Sequence, residues 1–298
     1  MSTIHEKFQV KAVMKKPREY GTLLPMSLPL LTALRDGNTE LAEVEGLKLP
    51  QEVMEVVHHF MPGVYIRELR IPKGTVVIGH THRHAHTNQM LKGRLMVQGV
   101  GEVTAPYLGT SGPGRKVAYA LEDSVWMNVY ATDCRDVMEL DETLFERSEA
   151  SQVNPAPTSL DILAYDDFPL MCAEIGWNPL DIRKVSETLY DQIPFPYGSY
   201  KCKRGVSAIE GYGMRATANI QPGEVIAPAR LAGKRTPAGR YTNHSPEPNA
   251  RFEPLPNGDL LLVATAAIEG CRGGRDGEEI TIDYRQAVAA NLQTGVTL

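Results

Sequence analysis

No stretch of this 298-residue chain approaches the roughly 18 consecutive apolar residues that a membrane-spanning helix needs. Its opening, MSTIHEKFQVKAVMKKPREY, lacks the apolar core of a secretion signal. The expectation is a cytoplasmic protein with no membrane partner. Cysteine is scarce. The four present, Cys134, Cys172, Cys202 and Cys271, are widely spaced with no CxxC pair, which argues against a disulfide framework and a structural zinc cluster. Charge of one sign is not in excess either. A formal net charge of −5 gives no global field to attract nucleic acid, so no nucleic-acid partner is expected. What is there is ordinary for a globular protein: 42% hydrophobic and 22% charged residues, in a length that suits about two domains.

No internal repeat is evident, and the first fifty residues show no firm period. From about residue 63 short strand-like runs follow one another: VYIRELRI (64–71), TVVIG (75–79), QMLKGRLMV (89–97), KVAYAL (116–121) and VWMNVYA (125–131). Runs rich in β-branched, Leu and aromatic residues, separated by Gly/Pro turns, predict a barrel or sandwich. SQVNPAPTS (151–159) reads as a linker. After it the pattern predicts two short helices, the second starting at Asn178-Pro179. From about 199 the chain returns to short strands and Gly-rich loops. The predicted fold is mainly β: a β-barrel domain with an N-terminal extension (1–150), a linker with short helices (151–198) and a second β-rich domain (199–298).

Half of the eight histidines lie in GHTHRHAHTNQ, where His80, His82, His84 and His86 alternate. An extended backbone would put all four on one face. Converging neutral imidazoles suit zinc, iron, nickel or copper, and a non-catalytic His-rich strand is the alternative. The spacing Gly74-x5-His80-x-His82-x3-His86-x6-Gly93 resembles the first motif of the cupin family. That resemblance implies a small β-barrel holding a divalent metal through His80, His82 and His86, with His86 standing where the family usually has Glu. The family's second motif adds another His, but none occurs between 86 and 244. Pro113-Gly114 stands near that motif's turn, followed by Tyr119 and Glu122 as substitute ligands. His86, Asn88 and Gly93, then Pro113, Gly114, Lys116, Tyr119, Ala120, Glu122, Asp123 and Trp126, also resemble a stand-alone barrel domain of tailed-phage and prophage proteins. This implies a viral or prophage origin, in which case the location is the host cytoplasm.

In the last third, three pieces occur in order. They are Gly211-Tyr212-Gly213, then Asn243-His244-Ser245 with Pro248-Asn249, then Glu278-Glu279 leading to Asp283-Tyr284. Ile220, Gly223, Glu224 and Ile226 stand between the first two. Over about 199–287 this order resembles the SET domain of protein lysine methyltransferases. The resemblance implies a β-clip fold with a pseudoknot, S-adenosylmethionine as cofactor and a lysine-bearing protein as substrate. Gly211, Tyr212, Gly213, Arg215, Asn243 and His244 would bind the cofactor. Asn243 would hold its amino-acid end, and the His244 main chain its adenine. Ser245, Pro248 and Asn249 would hold the loop by turn chemistry. Tyr284 would be catalytic, orienting the attacking amine, while Glu278 and Glu279 would shape the strand.

Three departures bear on substrate binding. Pro246-Glu247 replaces the Cys that often follows Asn-His-Ser. The thirteen residues APARLAGKRTPAG (227–239) are too short for the family's helix-containing wall, and Ala229 stands where a Tyr is common. No Cys-rich element follows Tyr284, though the tail could cover the channel as a short helix. The leading expectation is thus a S-adenosylmethionine-dependent lysine methyltransferase with an appended cupin-like barrel, forming a homo-oligomer. The alternatives are a non-catalytic structural or interaction protein, such as a component of a phage particle, and a metal-dependent cupin enzyme.

Overall fold

The computed structural model describes residues 54–146, 156–271 and 276–293. The expected N-terminal extension and half of the linker at 151–159 lie outside the described residues. In chain order the strands of the first half are β1 (Glu55–Met61), β2 (Val64–Ile71), β3 (Val76–Ile78), β4 (His86–Lys92), β5 (Arg94–Val97), β6 (Gly101–Thr104), β7 (Tyr107–Ser111), β8 (Val117–Ala120) and β9 (Ser124–Ala131). Helices α1 (Val137–Leu144), α2 (Ser159–Ile175) and α3 (Pro179–Glu187) follow. Then come β10 (Gly198–Tyr200), β11 (Cys202–Val206), β12 (Tyr212–Ala216), β13 (Val225–Leu231), β14 (Lys234–Arg235), α4 (Pro237–Tyr241), β15 (Asn243–His244), β16 (Ala250–Pro254), β17 (Leu260–Ala264), β18 (Glu279–Ile282) and α5 (Tyr284–Gln293).

Two antiparallel sheets, ordered β10-β1-β2-β9-β4-β7 and β3-β8-β5-β6, make the N-terminal body. They share a core in which Ile71 and Met90 from the first meet Val77, Leu95, Val97, Val103 and Ala120 from the second. Side chains alternate in and out along each strand, so β1 buries Val56, His58 and Phe60 on one face. Successive strands then line up rows across the sheet. One row is polar: His58 is opposite Arg67, Arg67 opposite Asn128, and Asn128 opposite Asn88. These buried amides satisfy one another, with Asn128 Nδ2 donating to Asn88 Oδ1 at 2.8 Å and Asn88 Nδ2 to Ser111 Oγ at 2.7 Å.

The expected single run 89–97 is two strands in different sheets. Gly93 makes the break at φ +87°, where an added Cβ would lie 2.4 Å from the Asp123 carbonyl oxygen. β1, β6, β7 and α1 were not foreseen. The two helices after the linker are as expected. Thr158 and Asp161 form a reciprocal cap on α2, Gly176 ends it at φ +73°, and Asn178 caps α3 with Pro179 in the first turn.

The C-terminal strands form two further sheets, β14-β13-β17-β16 and β11-β12-β18-β15. The expected boundary near residue 199 does not separate two cores. β10 pairs with β1, placing Tyr200 opposite His58. Val56 and Thr217 are joined main chain to main chain at 2.9 Å and again through the Thr217 hydroxyl at 2.8 Å. One continuous apolar cluster runs from Phe60, Tyr65 and Tyr130 through Leu140 of α1 to Met214, Ile220, Leu262 and Ile280.

β15 runs parallel to β18, with Asn243 opposite Thr281 and His244 opposite Ile282. The loop that follows is fastened to the same strand. Asn249 Nδ2 donates to the Glu279 carbonyl at 2.8 Å, and Asn249 Oδ1 accepts from the Thr281 amide at 2.9 Å. Ser245 Oγ accepts from the Glu247 amide at 3.1 Å. The turn between β15 and β16 is therefore held to β18 through Asn249.

Candidate functional site

The histidine segment does not form the alternating strand expected of it. Only His86 lies in a strand; residues 79–85 are irregular with a bend at 83–84, and His82 makes isolated bridges to Gly114 and Phe145. The cause is a partner distant in sequence. His82 exchanges main-chain hydrogen bonds with Gly114 at 3.0 and 2.9 Å, which pins the chain midway through the run. His84 is exposed, while the His82 and His86 rings stack with centroids 4.0 Å apart. His82 Nδ1 meets the Tyr130 hydroxyl at 3.0 Å. Burial, with the neighbouring His86 adding to it, lowers His82 to about 3, so it is neutral.

These residues do not fit a metal ion as arranged. His80 Nε2 faces the Arg67 guanidinium at 3.2 Å, and a fixed cation beside a ligand nitrogen opposes a divalent ion there. Among the described residues no three His, Cys, Asp or Glu side chains converge as a metal site. Of the substitute ligands, Tyr119 is buried in β8 opposite Val76 of β3, and Glu122 pairs with Arg94 at 3.2 Å.

In the C-terminal half the structure brings most of the singled-out residues around Glu279. Asn243 Nδ2 donates to Glu279 Oε1 at 2.8 Å and has Ser207 Oγ at 3.0 Å and the Tyr212 carbonyl at 3.3 Å. Ser207 Oγ is 2.8 Å from both carboxylate oxygens. Arg215 Nη1 stands 3.6 Å from Glu279 Oε2. Two expectations change here. Gly213 leaves room for Glu279 rather than for an outside group, since an added Cβ would lie 2.2 Å from its Oε1. Arg215 is buried against that same carboxylate and does not reach an open face. Gly211 does keep open space beside it, at φ +53°. Tyr212 is exposed, with the Arg204 guanidinium over its ring at 5.2 Å. Burial pushes the Glu279 carboxyl above its ordinary value, against the Asn243 and Ser207 donors that pull it down.

Tyr284 opens α5 and reaches a cavity of about 400 Å³. Its hydroxyl donates to the Thr242 carbonyl at 3.1 Å. Burial and the Glu279 charge push that hydroxyl up to about 12, so it keeps its proton at neutral pH. The cavity is lined by Phe252, Leu260 and Ile282 from the sheets and by Ala287 and Val288 of α5. Ala229, Arg230, Arg235 and Gly239 of 227–239 line it too, together with Trp177, Ile182 and Val185 at and just before α3. His244 does not line it. Its main chain lies in the bridge to β18, and its ring contacts Asp167 and Tyr284.

No family matches the chain as a sequence, and no curated protein does. Solved structures do resemble part of it. An acetylacetone dioxygenase from Acinetobacter johnsonii is 16% identical over 27% of this chain, with a TM-score of 0.24. The KdgF protein of a Halomonas species is 20% identical over 26% of this chain and 78% of its own, with a TM-score of 0.23. A cupin domain from Bordetella pertussis Tohama I is 21% identical over 29% of this chain and 99% of its own, again at 0.23. The match spans 60% of the dioxygenase's own length. At these TM-scores the shared geometry is too slight to place a site.

Several residues central to these arrangements carried no motif. Ser207, Asp167, Trp177 and Arg67 gain their roles only through long-range packing. Glu279 was visible as one of an acidic pair, but not as the hub that Asn243 and Arg215 share.

Proposed function

We propose that the C-terminal half transfers a methyl group from S-adenosylmethionine to the side-chain amine of a lysine in a protein substrate. What carries this reading is the meeting of the Tyr284 hydroxyl and the Thr242 carbonyl at one cavity of about 400 Å³, lined by apolar side chains together with Asp181, Arg230, Arg235 and Arg240. The ordered motifs, the parallel β15–β18 pairing and the loop fastened by Asn249 support it.

S-adenosylmethionine supplies an electrophilic sulfonium methyl group. Gly211, Asn243 and the His244 main chain are the residues that would hold it, and the open side of Gly211 fits a ligand there. The cavity's role is to receive the amine. Free lysine has a pKa near 10.4 and must shed its proton to attack. An apolar wall of Trp177, Ile182, Phe252 and Val288 disfavours the ammonium form and lowers that value. The Tyr284 hydroxyl donates to Thr242 and so presents its lone pairs to an incoming N–H. Alignment, rather than a strong base, supplies most of the acceleration.

The test is calorimetric titration with S-adenosylmethionine, followed by methyl-transfer assay on a lysine peptide array, with Asn243→Ala as control. Binding lost in the variant and transfer to lysine support the reading. Absence of cofactor binding by folded protein rejects it in favour of an interaction module. A second reading, small-molecule chemistry in the barrel, draws on the stacked His82, His86 and Tyr130 rings with Lys116 reaching Ser111 at 3.0 Å.

A further inference from the structure

We propose that Asp167, on the linker helix α2, positions Tyr284 by fixing the tautomer of His244. The Tyr284 main-chain N–H donates to His244 Nδ1 at 3.2 Å. An amide N–H can only donate, so Nδ1 must carry a lone pair, and the ring proton of neutral His244 sits on Nε2. Nε2 lies 2.9 Å from Asp167 Oδ2, which accepts that proton's hydrogen bond. The His244 side chain is 2% exposed, so water does not compete for either nitrogen.

Asp167 is itself held. Arg285 donates from Nη1 to its Oδ2 at 2.8 Å and from Nη2 to its Oδ1 at 3.4 Å. Arg285 also bonds Glu174, about two turns further along α2. Because Arg285 follows Tyr284 in sequence, the first turn of α5 is tied to α2 twice: directly through Arg285, and through the His244 ring. The alternative tautomer also has an acceptor nearby: Asp283 Oδ1, which accepts from the Arg285 main-chain N–H at 2.9 Å, is 3.8 Å from Nδ1. Without Asp167, a proton on Nδ1 would turn towards Asp283 and face the Tyr284 N–H donor to donor. Tyr284 would lose its main-chain anchor, and with it the placement of the hydroxyl in the cavity.

The functional arm of this proposal rests on the methyl-transfer reading; the tautomer arm does not. The experiment is nitrogen-15 NMR of the His244 ring in the full chain, for the wild type, Asp167→Ala and Asp167→Asn, beside steady-state kinetics on a lysine peptide. The wild type is expected to show Nε2–H and a bare Nδ1. Asp167→Ala should shift His244 towards Nδ1–H, while Asp167→Asn, whose amide oxygen still accepts, should keep the wild-type pattern. Kinetically, Asp167→Ala should lower kcat about tenfold, with KM within about twofold, and Asp167→Asn should recover most of it. Glu174→Ala, which removes only the second Arg285 partner, should leave both readouts unchanged. A wild-type ring protonated on Nδ1 overturns the proposal even if the Ala variant fails to fold. So does an unmoved tautomer in folded Asp167→Ala. If the wild type transfers no methyl group, the functional reading falls and the NMR alone decides the tautomer.

Discussion

Lys203 Nζ donates to Asp141 Oδ2 at 3.1 Å, tying α1, which follows the N-terminal sheets, to β11 of the C-terminal sheets. The pair is part of a larger cluster. Arg67 Nη1 stands 3.6 Å from Asp141 Oδ1, and Asp276 Oδ1 is 2.9 Å from Lys203 Nζ. Two cations and two carboxylates thus balance at the seam where the two halves share one core.

This cluster predicts a pH dependence with a definite sign. Burial alone would raise the Asp141 carboxyl, but the Lys203 and Arg67 charges outweigh it and hold it down at about 2. A carboxylate depressed in the folded state stabilises it above the unfolded value, about 3.9. That stability disappears as the pH falls from about 4 towards 2. Asp141→Asn should cost about 1–3 kcal/mol at neutral pH, less than a fully buried pair because 33% of the side chain is exposed. Urea unfolding at pH 7, 4 and 3 checks it. The gap between variant and wild type should narrow on acidification. A gap that stays constant would mean that packing, not charge, holds the seam.

Glu279 predicts the opposite slope. Its folded-state value is raised by burial, so its contribution is fully present at low pH and is lost as the pH climbs through that raised value. Glu279→Gln keeps an acceptor for Asn243 without the charge. The stability of the variant relative to the wild type should therefore increase from about pH 4.3, the ordinary Glu value, upward. Thermal unfolding across pH 4–8 would show it. A difference that shrinks with rising pH would mean that Arg215, at 3.6 Å, governs the carboxylate instead.

The sequence was legible where one element carries its own signal. β2 and β9 read directly from their β-branched, Leu and aromatic content and pair in register along their whole shared length, from Val64 opposite Ala131 to Ile71 opposite Ser124. The Asn178-Pro179 start of α3 was readable from capping chemistry, and the loop around Asn249 from turn chemistry. The illegible parts depend on partners distant in sequence. Nothing in GHTHRHAHTNQ announces that Gly114 will pin its middle and Arg67 will face His80. Nothing in 227–239 shows that Trp177, some fifty positions earlier, helps line the same cavity. Asp167 looked like one acid among several on an ordinary helix until the fold placed it on His244.

Because α3 and Trp177 before it help line the cavity, the methyl-transfer reading makes substrate affinity depend on residues outside the ordered motifs of the C-terminal half. Trp177→Ala removes a large apolar surface from the wall without touching Tyr284 or Thr242. KM for a lysine peptide should rise about tenfold. The binding constant for S-adenosylmethionine should stay within about twofold. A variant that loses cofactor affinity and leaves KM unchanged would move the cofactor into this cavity.

Arg67 sets what the histidine segment can bind. With its guanidinium 3.2 Å from His80 Nε2, wild-type protein should respond little to nickel or zinc, its unfolding midpoint moving by less than about 1 °C at tenfold molar excess. Arg67→Gln removes the opposing charge and should increase the response. Tight stoichiometric metal in the wild type, measured by elemental analysis after dialysis, would mean that His80 turns away from Arg67 to meet the ion.

Tyr284→Phe separates chemistry from binding. The hydroxyl it removes donates to the Thr242 carbonyl at 3.1 Å, so stability should fall by about 1 kcal/mol, the net value of one such hydrogen bond. The main-chain bond to His244 Nδ1 needs no hydroxyl and should persist. On the methyl-transfer reading, the amine would lose the oxygen that orients it, while the apolar residues proposed to disfavour its ammonium form remain. Turnover should therefore drop about a hundredfold while cofactor affinity and KM move little, since loss of alignment acts on kcat. Steady-state kinetics with parallel cofactor titration reads all three. Equal turnover in Tyr284→Phe would show that the hydroxyl only caps a carbonyl, and would leave the Thr242 oxygen itself as the group that meets the amine.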